Sequence, residues 1–253
     1  MTTTDFINTM REFLEKGISF FFLIDFEKQK PVVLPINQAT ENNIYFEVEN
    51  LKNHDFLPDN PTKTILFKSY PPDFEIYRKS FEIVQKNISH GNTYLVNLTF
   101  PTRIETNYSL KDIFRNVKAK YKLLFKDEFI LFSPEPFIKI KDNKIYTYPM
   151  KDTIDATIPN AASIILNNKK ELYEHYTVVD LLRNDLAMIA EKIEVKHFRY
   201  LEKISTHKGE ILQVSSEIQG NLPENWKKLF RKNSGKCYQL DLSAELPNKR
   251  QWK

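Results

Sequence analysis

The stretch that decides the fold is LLFKDEFILFSPEPFIKIKDNKIYTYPM, at residues 123–150. Its short apolar runs are separated by the polar segments KDE, SPEP and KDN, which are typical of turns. Strands joined by such short turns pair antiparallel, so we expect an antiparallel meander. The stretch continues as PMKDT. Pro149 predicts that the strand stops there and that Lys151 opens a loop.

The remaining pattern alternates strands in meanders with long helices, which is typical of the α+β class. Apolar residues at helical spacing, with capping residues at the ends, predict helices over residues 5–16, 71–91, 109–121 and 169–190. Apolar or alternating runs predict a buried strand over 18–26, a long strand over 92–106, a strand over 209–220, and shorter strands near Val32, Ile44, Ile65 and Val195.

Composition excludes several classes of function. The chain has 253 residues, 41% of them hydrophobic, and a net charge of +4 without a basic run, so nucleic acid is not an expected partner. Its single cysteine, Cys237, excludes a disulfide framework and fits a cytoplasmic location. The apolar run at 18–24 is too short to cross a membrane, so we expect no membrane partner. The five glycines are too scattered to form a phosphate-binding loop.

Lys151 and Glu135 are the first candidates for chemistry. If the strands on either side of Asn143 form a hairpin, the SPEP and PMKDT segments lie at the same end of it. An amine and a carboxyl would then share one edge of the sheet. On the pattern alone, Lys151 is equally a solvated loop lysine or half of a surface ion pair.

Glu171 and Glu174 are the second candidates, because residues three apart share one face of a helix. Paired carboxylates are ligands that Mg²⁺ accepts, and an ordinary solvated helix face is the alternative. Further along the same helix, three charges interrupt the apolar pattern and indicate an internal salt-bridge cluster of Asp180, Arg183 and Asp185.

Five motifs together resemble the chorismate-utilising enzymes, and within them the aminodeoxychorismate synthase component I branch. In order along the chain they are GNTYLVNLTF, FSPEPF, TYPMKDT, ELYEHYTVVDLLRND and ILQVSSEIQGNL, within residues 73–230. The resemblance implies a two-sheet antiparallel sandwich with outer helices. It also implies conversion of chorismate and ammonia to 4-amino-4-deoxychorismate for folate synthesis, with a glutamine amidotransferase subunit as the ammonia source.

The resemblance also implies roles for individual residues. Lys151 matches the lysine that attacks C2 of chorismate while the 4-hydroxyl leaves; ammonia then enters at C4 and expels the lysine. Glu135 matches the general acid that protonates the leaving hydroxyl, and Thr153 matches a threonine that contacts the substrate. Glu171 and Glu174 match a metal-binding pair whose Mg²⁺ holds the ring carboxylate.

Single positions distinguish this branch from its relatives. Anthranilate synthases have alanine in place of Lys151, which disfavours that rival function. Isochorismate synthases have a water-activating lysine at the position of Leu95, so hydration at C2 is disfavoured. Two positions depart from the family pattern: Asp152 replaces a glycine, and Gln213, which the resemblance places at the substrate, replaces a histidine found in many members.

The C-terminal segment does not continue the sequence pattern that the resemblance implies. The codons that can encode residues 236–253 permit, in a shifted frame, the peptide MLPAGSISGAPKQKTVE, which is close to the motif expected next in the family. We therefore expect a chorismate-binding domain at 1–230, incomplete at its C-terminus, followed by an out-of-frame tail at 231–253. This predicts a chain without turnover, and a non-catalytic remnant that only binds a partner is a further alternative.

Overall fold

The computed structural model describes residues 1–58, 64, 66–93, 96–206, 209–224 and 226. The predictions for Ile65, Leu95 and the tail at 231–253 fall outside these residues. Within them the α-helices are α1 (Thr3–Glu15), α2 (Phe74–Ser89), α3 (Leu110–Asn116), α4 (Ala161–Asn167) and α5 (Lys169–Ala187), with 3₁₀ turns at Ile36–Gln38 and Thr40–Asn42.

The strands follow the apolar runs of the sequence. They are β1 (Phe20–Leu23), β2 (Val32–Pro35), β3 (Ile44–Val48), β4 (Leu51–Lys52), β5 (Phe67–Tyr70), β6 (Arg103–Thr106), β7 (Tyr121–Phe125), β8 (Phe129–Ser133), β9 (Lys139–Lys141), β10 (Lys144–Thr147), β11 (Met150–Asp155), β12 (Glu191–Thr206) and β13 (Gly209–Asn221).

All strand pairs among the described residues are antiparallel, which confirms the α+β class. One sheet has the order β4-β3-β7-β8, and a second has β11-β13-β10-β9 with β12 on the other edge of β13. The pairs β1-β2 and β5-β6 form two-stranded ribbons. The meander at 123–150 is therefore divided between two sheets, because the SPEP segment carries the chain from β8 to β9.

Helix ends are set by local chemistry, although α1 begins two residues before the predicted Asp5 and α3 ends at Asn116, before the predicted Tyr121. Thr2 caps α1 and Ser109 caps α3, each through a capping box with the aspartate three residues later. Asp73 caps α2, its carboxylate accepting a hydrogen bond from the Glu75 N–H. Gly17, just beyond the end of α1, has a φ of 66°, which glycine adopts without strain.

The core of the second sheet lies between β10, β13 and α5. Ile145 and Ile218 from the strands pack with Val179 and Leu186 from the helix, and all four are buried. Burying such side chains contributes about 1.5–3 kcal/mol each to folding. This packing fixes which face of the second sheet α5 covers.

Three expectations are corrected by the fold. In the predicted long strand at 92–106, only Arg103–Thr106 is a strand among the described residues, and the predicted buried strand at 18–26 is limited to Phe20–Leu23, where Phe22 is exposed. Pro149 does not end pairing, because the register of β10 on β13 continues unchanged into β11. Lys151 therefore lies in a strand and not in a loop.

His54 gives the first sheet a predicted pH dependence. Its side chain is 2% exposed, stacks on Phe56 at 4.7 Å, and has Nε2 3.3 Å from a Glu47 carboxylate oxygen. Burial lowers the pKa of His54 below its ordinary 6.5, against the opposing effect of Glu47. The unfolded chain thus binds more protons below pH 6.5, and the free energy of unfolding falls as the solution is acidified.

We expect His54→Gln to reduce this acid sensitivity. Urea unfolding followed by circular dichroism at about pH 7.5 and about pH 5 measures it, with a limiting slope of about 1.4 kcal/mol per pH unit for one histidine. His197→Gln is the matched control, because His197 is exposed. Equal acid sensitivity of the wild type and the His54 variant contradicts this assignment.

Candidate active site

Strand β11 and the segment before it present side chains to two opposite faces of the sheet. Successive residues of a strand alternate between faces. Ile145 is buried against α5, so Lys151, which keeps the same register, shares its face. Met150 lies on the opposite face with Tyr146 and Tyr148. Lys151 is half-buried, and its charge lowers the pKa of His175 in α5, as this placement requires.

His175 anchors the α5 face. It is 1% exposed, and its Nε2 lies 2.6 Å from the Ser216 Oγ, which also accepts a hydrogen bond from the Arg199 backbone N–H at 2.9 Å. Burial, reinforced by the charges of Arg199 and Lys151, lowers the pKa of His175 to about 4. The imidazole is therefore neutral at pH 7. Since the Ser216 N–H also bonds to the Pro149 carbonyl at 2.9 Å, one serine ties together α5, β12 and the start of β11.

Asp152 forms a bulge beside Lys151. The pairing of β11 on β13 shifts by one residue between Lys151 and Thr153, and Asp152 has a φ of 69°. This is the left-handed region that favours glycine, the residue that the resemblance implies at this position. Burial raises the pKa of Asp152 above its ordinary 3.8, partly offset by Arg199 and reinforced by Glu174. The aspartate thus adds a half-buried carboxyl to the face that carries Lys151.

Glu171 and Glu174 lie one turn apart on α5, as the spacing predicts. The Lys170 ammonium is 3.9 Å from Glu171 and 3.6 Å from Glu174. Within the described part of the chain, three or more metal-ligating side chains do not cluster. The donor set nevertheless fits Mg²⁺, which takes one or two carboxylates and completes its shell with water and substrate oxygens.

Glu135 lies in the turn between β8 and β9. The Ser133 hydroxyl donates a hydrogen bond to the Glu135 carbonyl at 2.8 Å and accepts one from its backbone N–H at 3.3 Å. The Glu135 side chain is exposed and lines a cleft of about 130 Å³. The other residues lining it are Glu49, Lys120, Tyr121, Pro134, Pro136, Tyr148, Met150, Tyr200 and Glu202.

Three carboxylates line this cleft, those of Glu49, Glu135 and Glu202, together with the ammonium of Lys120. Burial, reinforced by nearby glutamates, raises the pKa of Tyr121, Tyr148 and Tyr200 to about 12 each. The Glu202 carboxylate accepts a hydrogen bond from the buried Ser215 hydroxyl at 2.7 Å. Ser215 and Ser216 are adjacent residues of β13, yet each is engaged on a different face of the sheet.

The structure separates the two predicted catalytic groups. The β9–β10 hairpin brings the SPEP and PMKDT segments to one end, as predicted. Met150 faces the cleft that Glu135 lines, whereas Lys151, one residue later, faces α5. A difference of one residue reverses the face of a strand, so the expected convergence of Lys151 and Glu135 is not found.

Thr153 and Gln213 fall on the cleft side. They are directly opposed in the β11–β13 pair, so their side chains share a face, and Gln213 has the same parity along β13 as Ser215. Gln213 is buried and Thr153 is exposed. The predicted residues thus form two groups: Lys151 lies on the face covered by α5, which carries Glu171 and Glu174, whereas Glu135, Thr153 and Gln213 lie on the cleft side.

Other expectations for α5 are settled by exposure. Asp180 and Arg183 form an exposed pair at 3.4 Å, so the predicted internal salt-bridge cluster is wrong for these two residues. The sequence did not predict the contact between His175 and Ser216, because the two residues are far apart in the chain. Their only sequence signal is polarity within apolar runs.

Comparison with known proteins identifies the family. Residues 19–230 match the model of a family described as chorismate binding enzyme. An uncharacterised PabA-like protein of Pasteurella multocida is 49% identical over 227 residues, covering 90% of this chain and 70% of that protein. The PabA-like protein of Haemophilus influenzae is 48% identical, covering 87% and 69%. Aminodeoxychorismate synthase component 1 of Bacillus subtilis is 24% identical, covering 59% and 34%.

Solved structures share the fold. A protein assigned as a 2,3-dihydroxybenzoate-specific isochorismate synthase from Bacillus anthracis gives a TM-score of 0.57 at 18% identity, covering 95% of this chain and 70% of that one. The menaquinone-specific isochorismate synthase of Escherichia coli gives 0.56 at 13% identity, covering 96% and 66%. At these identities the likeness concerns the fold alone.

The bulge at Asp152 generates a stability prediction. We expect Asp152→Gly to raise the free energy of unfolding by about 0.5–1 kcal/mol, because relief of left-handed strain and of carboxyl burial exceeds the added entropy of the unfolded chain. Urea unfolding at neutral pH measures the change.

Asp142→Gly is the matched control for this prediction. Asp142 has a φ of 51° but is exposed in the β9–β10 turn, so its replacement relieves the backbone alone. We expect a larger gain at Asp152 than at Asp142. A loss of stability in Asp152→Gly contradicts the interpretation of the bulge.

Proposed function

Since this chain belongs to the chorismate-binding enzyme family, we propose that it derives from an aminodeoxychorismate synthase component I. The reaction of that lineage is the conversion of chorismate and ammonia to 4-amino-4-deoxychorismate. We further propose that this chain by itself does not complete the reaction.

The observation that carries the proposed lineage is the placement of Lys151. It is a half-buried amine on a paired strand, next to the neutral His175 and on the side of the positively charged Arg199. The neutral form of an amine is the form that attacks carbon, and Lys151 is the amine that the resemblance assigns to C2 of chorismate. A lysine that only contributes to the solvated surface does not need to be half-buried on a paired strand.

The carboxylates of α5 support the proposal that the reaction depends on a metal ion. Glu171 and Glu174 would hold Mg²⁺, and the ion would supply positive charge that offsets a substrate carboxylate. Glu171 and Glu174 lie on one face of α5, and α5 packs against β11, the strand that carries Lys151.

Two features argue against turnover by this chain. Acid–base catalysis requires that the proton donor reach the leaving group while the nucleophile reaches the ring. Glu135 and Lys151 lie on opposite faces of the sheet, so they do not reach one small ring together. Asp152 also adds a half-buried carboxyl next to Lys151 in the strand, at a position where the resemblance implies a glycine without a side chain.

Two rival functions are to be distinguished from this proposal. Anthranilate synthase component I is the nearest enzymatic rival, and Lys151 argues against it. A remnant that only binds a glutamine amidotransferase is the rival from another class. Co-purification of this chain with such an amidotransferase tests the second rival without any measurement of turnover.

The proposal predicts the outcome of a product assay. The purified chain, chorismate, an ammonium salt and Mg²⁺ are incubated together, and the products are separated by chromatography. We expect neither aminodeoxychorismate nor anthranilate above the level of a sample without protein. The complete Bacillus subtilis aminodeoxychorismate synthase component 1 serves as the positive control.

The products distinguish the alternatives. Aminodeoxychorismate formed at a rate near that of the control overturns the proposed lack of turnover and leaves the lineage standing. Anthranilate as the product overturns the lineage itself. If either product appears, its loss in Lys151→Ala at unchanged circular dichroism assigns it to this site.

A further inference from the structure

The face of the second sheet that borders the cleft carries polar and aromatic side chains in rows. Residues that pair across neighbouring strands share a face, and each set of such residues forms one row. Three successive rows lie beside the cleft: Gln213 with Glu202, Ser215 with Met150 and Tyr200, and Glu217 with Tyr148 and His197. The first and third rows each contain a carboxylate, and Met150 and Tyr200 lie in the row between them.

The carboxylates of the first and third rows lack a positively charged partner. Among the described residues, Glu217 makes neither a hydrogen bond nor an ion pair, and Glu202 accepts one hydrogen bond from Ser215 and makes no ion pair. Both side chains are partly buried. Withdrawing a carboxylate from water costs free energy unless hydrogen-bond donors or a positive charge compensate it. Each glutamate is therefore a place where a cation would be stabilised.

A buried amide beside Glu202 also lacks a partner. Gln213 lies directly opposite Glu202 in the β12–β13 pair and is 9% exposed. Within the part of the chain that the structure describes, its side chain makes no hydrogen bond. Buried polar groups are almost always hydrogen-bonded, so an unpartnered amide next to a cleft indicates that a ligand or a water molecule supplies the bond. The amide carbonyl accepts hydrogen bonds from N–H groups, as the carboxylate does.

The charge of the cleft favours a cation as its ligand. Three carboxylates and one ammonium, that of Lys120, line the cleft, and Glu217 adds a further carboxylate beside it. The Lys139 ammonium lies 2.9 Å from Glu49 and compensates that carboxylate. Carboxylates still outnumber ammonium groups, which disfavours an anionic ligand and raises the local concentration of cations.

The arrangement of the rows indicates the shape of the ligand. Glu202 and Glu217 lie on either side of the row that contains Tyr200. Burial and the charges of both glutamates raise the pKa of Tyr200 to about 12, so both carboxylates lie near the same hydroxyl. A ligand that reaches both therefore has a positive charge at each end and an apolar middle. The cleft volume of about 130 Å³, roughly four water molecules, limits this ligand to a short chain.

Neighbouring contacts favour an organic cation over a metal ion. The Lys120 ammonium lies 5.6 Å from the centroid of the Tyr121 ring, so an aromatic ring of this cleft already accepts an ammonium on its face. Over the described ranges of the chain, three or more metal-ligating side chains do not cluster. An alkylammonium needs no such cluster, because its methylene groups contact aromatic rings while its N–H groups donate to carboxylates.

We propose that this cleft binds a short aliphatic diamine in its doubly protonated form. One ammonium donates hydrogen bonds to Glu202 and to the Gln213 carbonyl, and the other donates to Glu217. The methylene chain between them lies on Tyr200. The proposal does not rest on the proposed function, since it uses neither Lys151 nor the carboxylates of α5. A product assay and a binding titration thus report on different residues.

Isothermal titration calorimetry of the full chain with 1,4-diaminobutane tests the proposal. The titration is run at about pH 8, where alkylamines are charged and free histidine is neutral. We expect saturable binding. The monoamine n-butylamine, which has the same chain and one charge, should bind at least about tenfold more weakly, because it leaves one carboxylate unpaired. Equal affinity of the two amines, or no saturable binding of the diamine, overturns the proposal.

Substitutions assign the binding to these two carboxylates. Glu217→Gln should remove the advantage of the diamine over n-butylamine, and Glu202→Gln should weaken binding of the diamine at least about tenfold. Glu210→Gln is the matched control, because Glu210 lies in the same strand as Glu217 but on the opposite face, paired with Lys203 at 2.7 Å. Its replacement should change the affinity by less than about twofold.

Far-ultraviolet circular dichroism shows whether each variant keeps its fold, and the comparison of the two amines on the wild type needs no variant. An equal loss of diamine binding in Glu217→Gln and Glu210→Gln contradicts the proposal. Displacement of the diamine by Mg²⁺ at an equal concentration also contradicts it, because that result identifies a metal site.

Discussion

The pairing of β11 with β13 is the constraint on which the site depends. The register set by β10 runs through Pro149 without a break and places Lys151 on the face that α5 covers. Met150, on the other face, meets the cleft of Glu135. Which groups can act together is therefore decided by one hydrogen-bond register, and a slip of one residue would exchange the two faces.

The buried polar residues show how that register is held. Ser216 bonds through its backbone to Pro149 and through its hydroxyl to His175 and Arg199, so one residue joins two neighbouring strands and a helix. Buried polar groups are costly unless satisfied, which makes this arrangement specific as well as stabilising. The bulge at Asp152 begins directly beyond it, where the register finally shifts.

The chain combines family features with local departures from them. Lys151 lies in the paired strand β11, and Glu171 and Glu174 share one face of α5, but Asp152 occupies a left-handed position suited to glycine. The chain thus belongs to the chorismate-binding enzyme family, and its predicted site residues lie on two sides of the second sheet.

Local chemistry made much of the fold predictable. Capping residues determined where α1, α2 and α3 begin, and polar turns separated the strands of residues 123–150. The positions of Glu171 and Glu174 on one face of α5 followed from helical periodicity alone. These features depend on neighbours within a few residues, so the sequence by itself determined them.

Only the tertiary structure decided how these elements meet. The SPEP segment resembles a hairpin turn but crosses between sheets, because the partner of a strand is chosen by distant residues. The face of Lys151, the bulge at Asp152 and the bond of His175 to Ser216 all depend on β13, which lies some 60 residues beyond β11. Alternation along a strand is local, but which face becomes the interior is set by long-range packing, and this is why the separation of Lys151 from Glu135 could not be read from the chain.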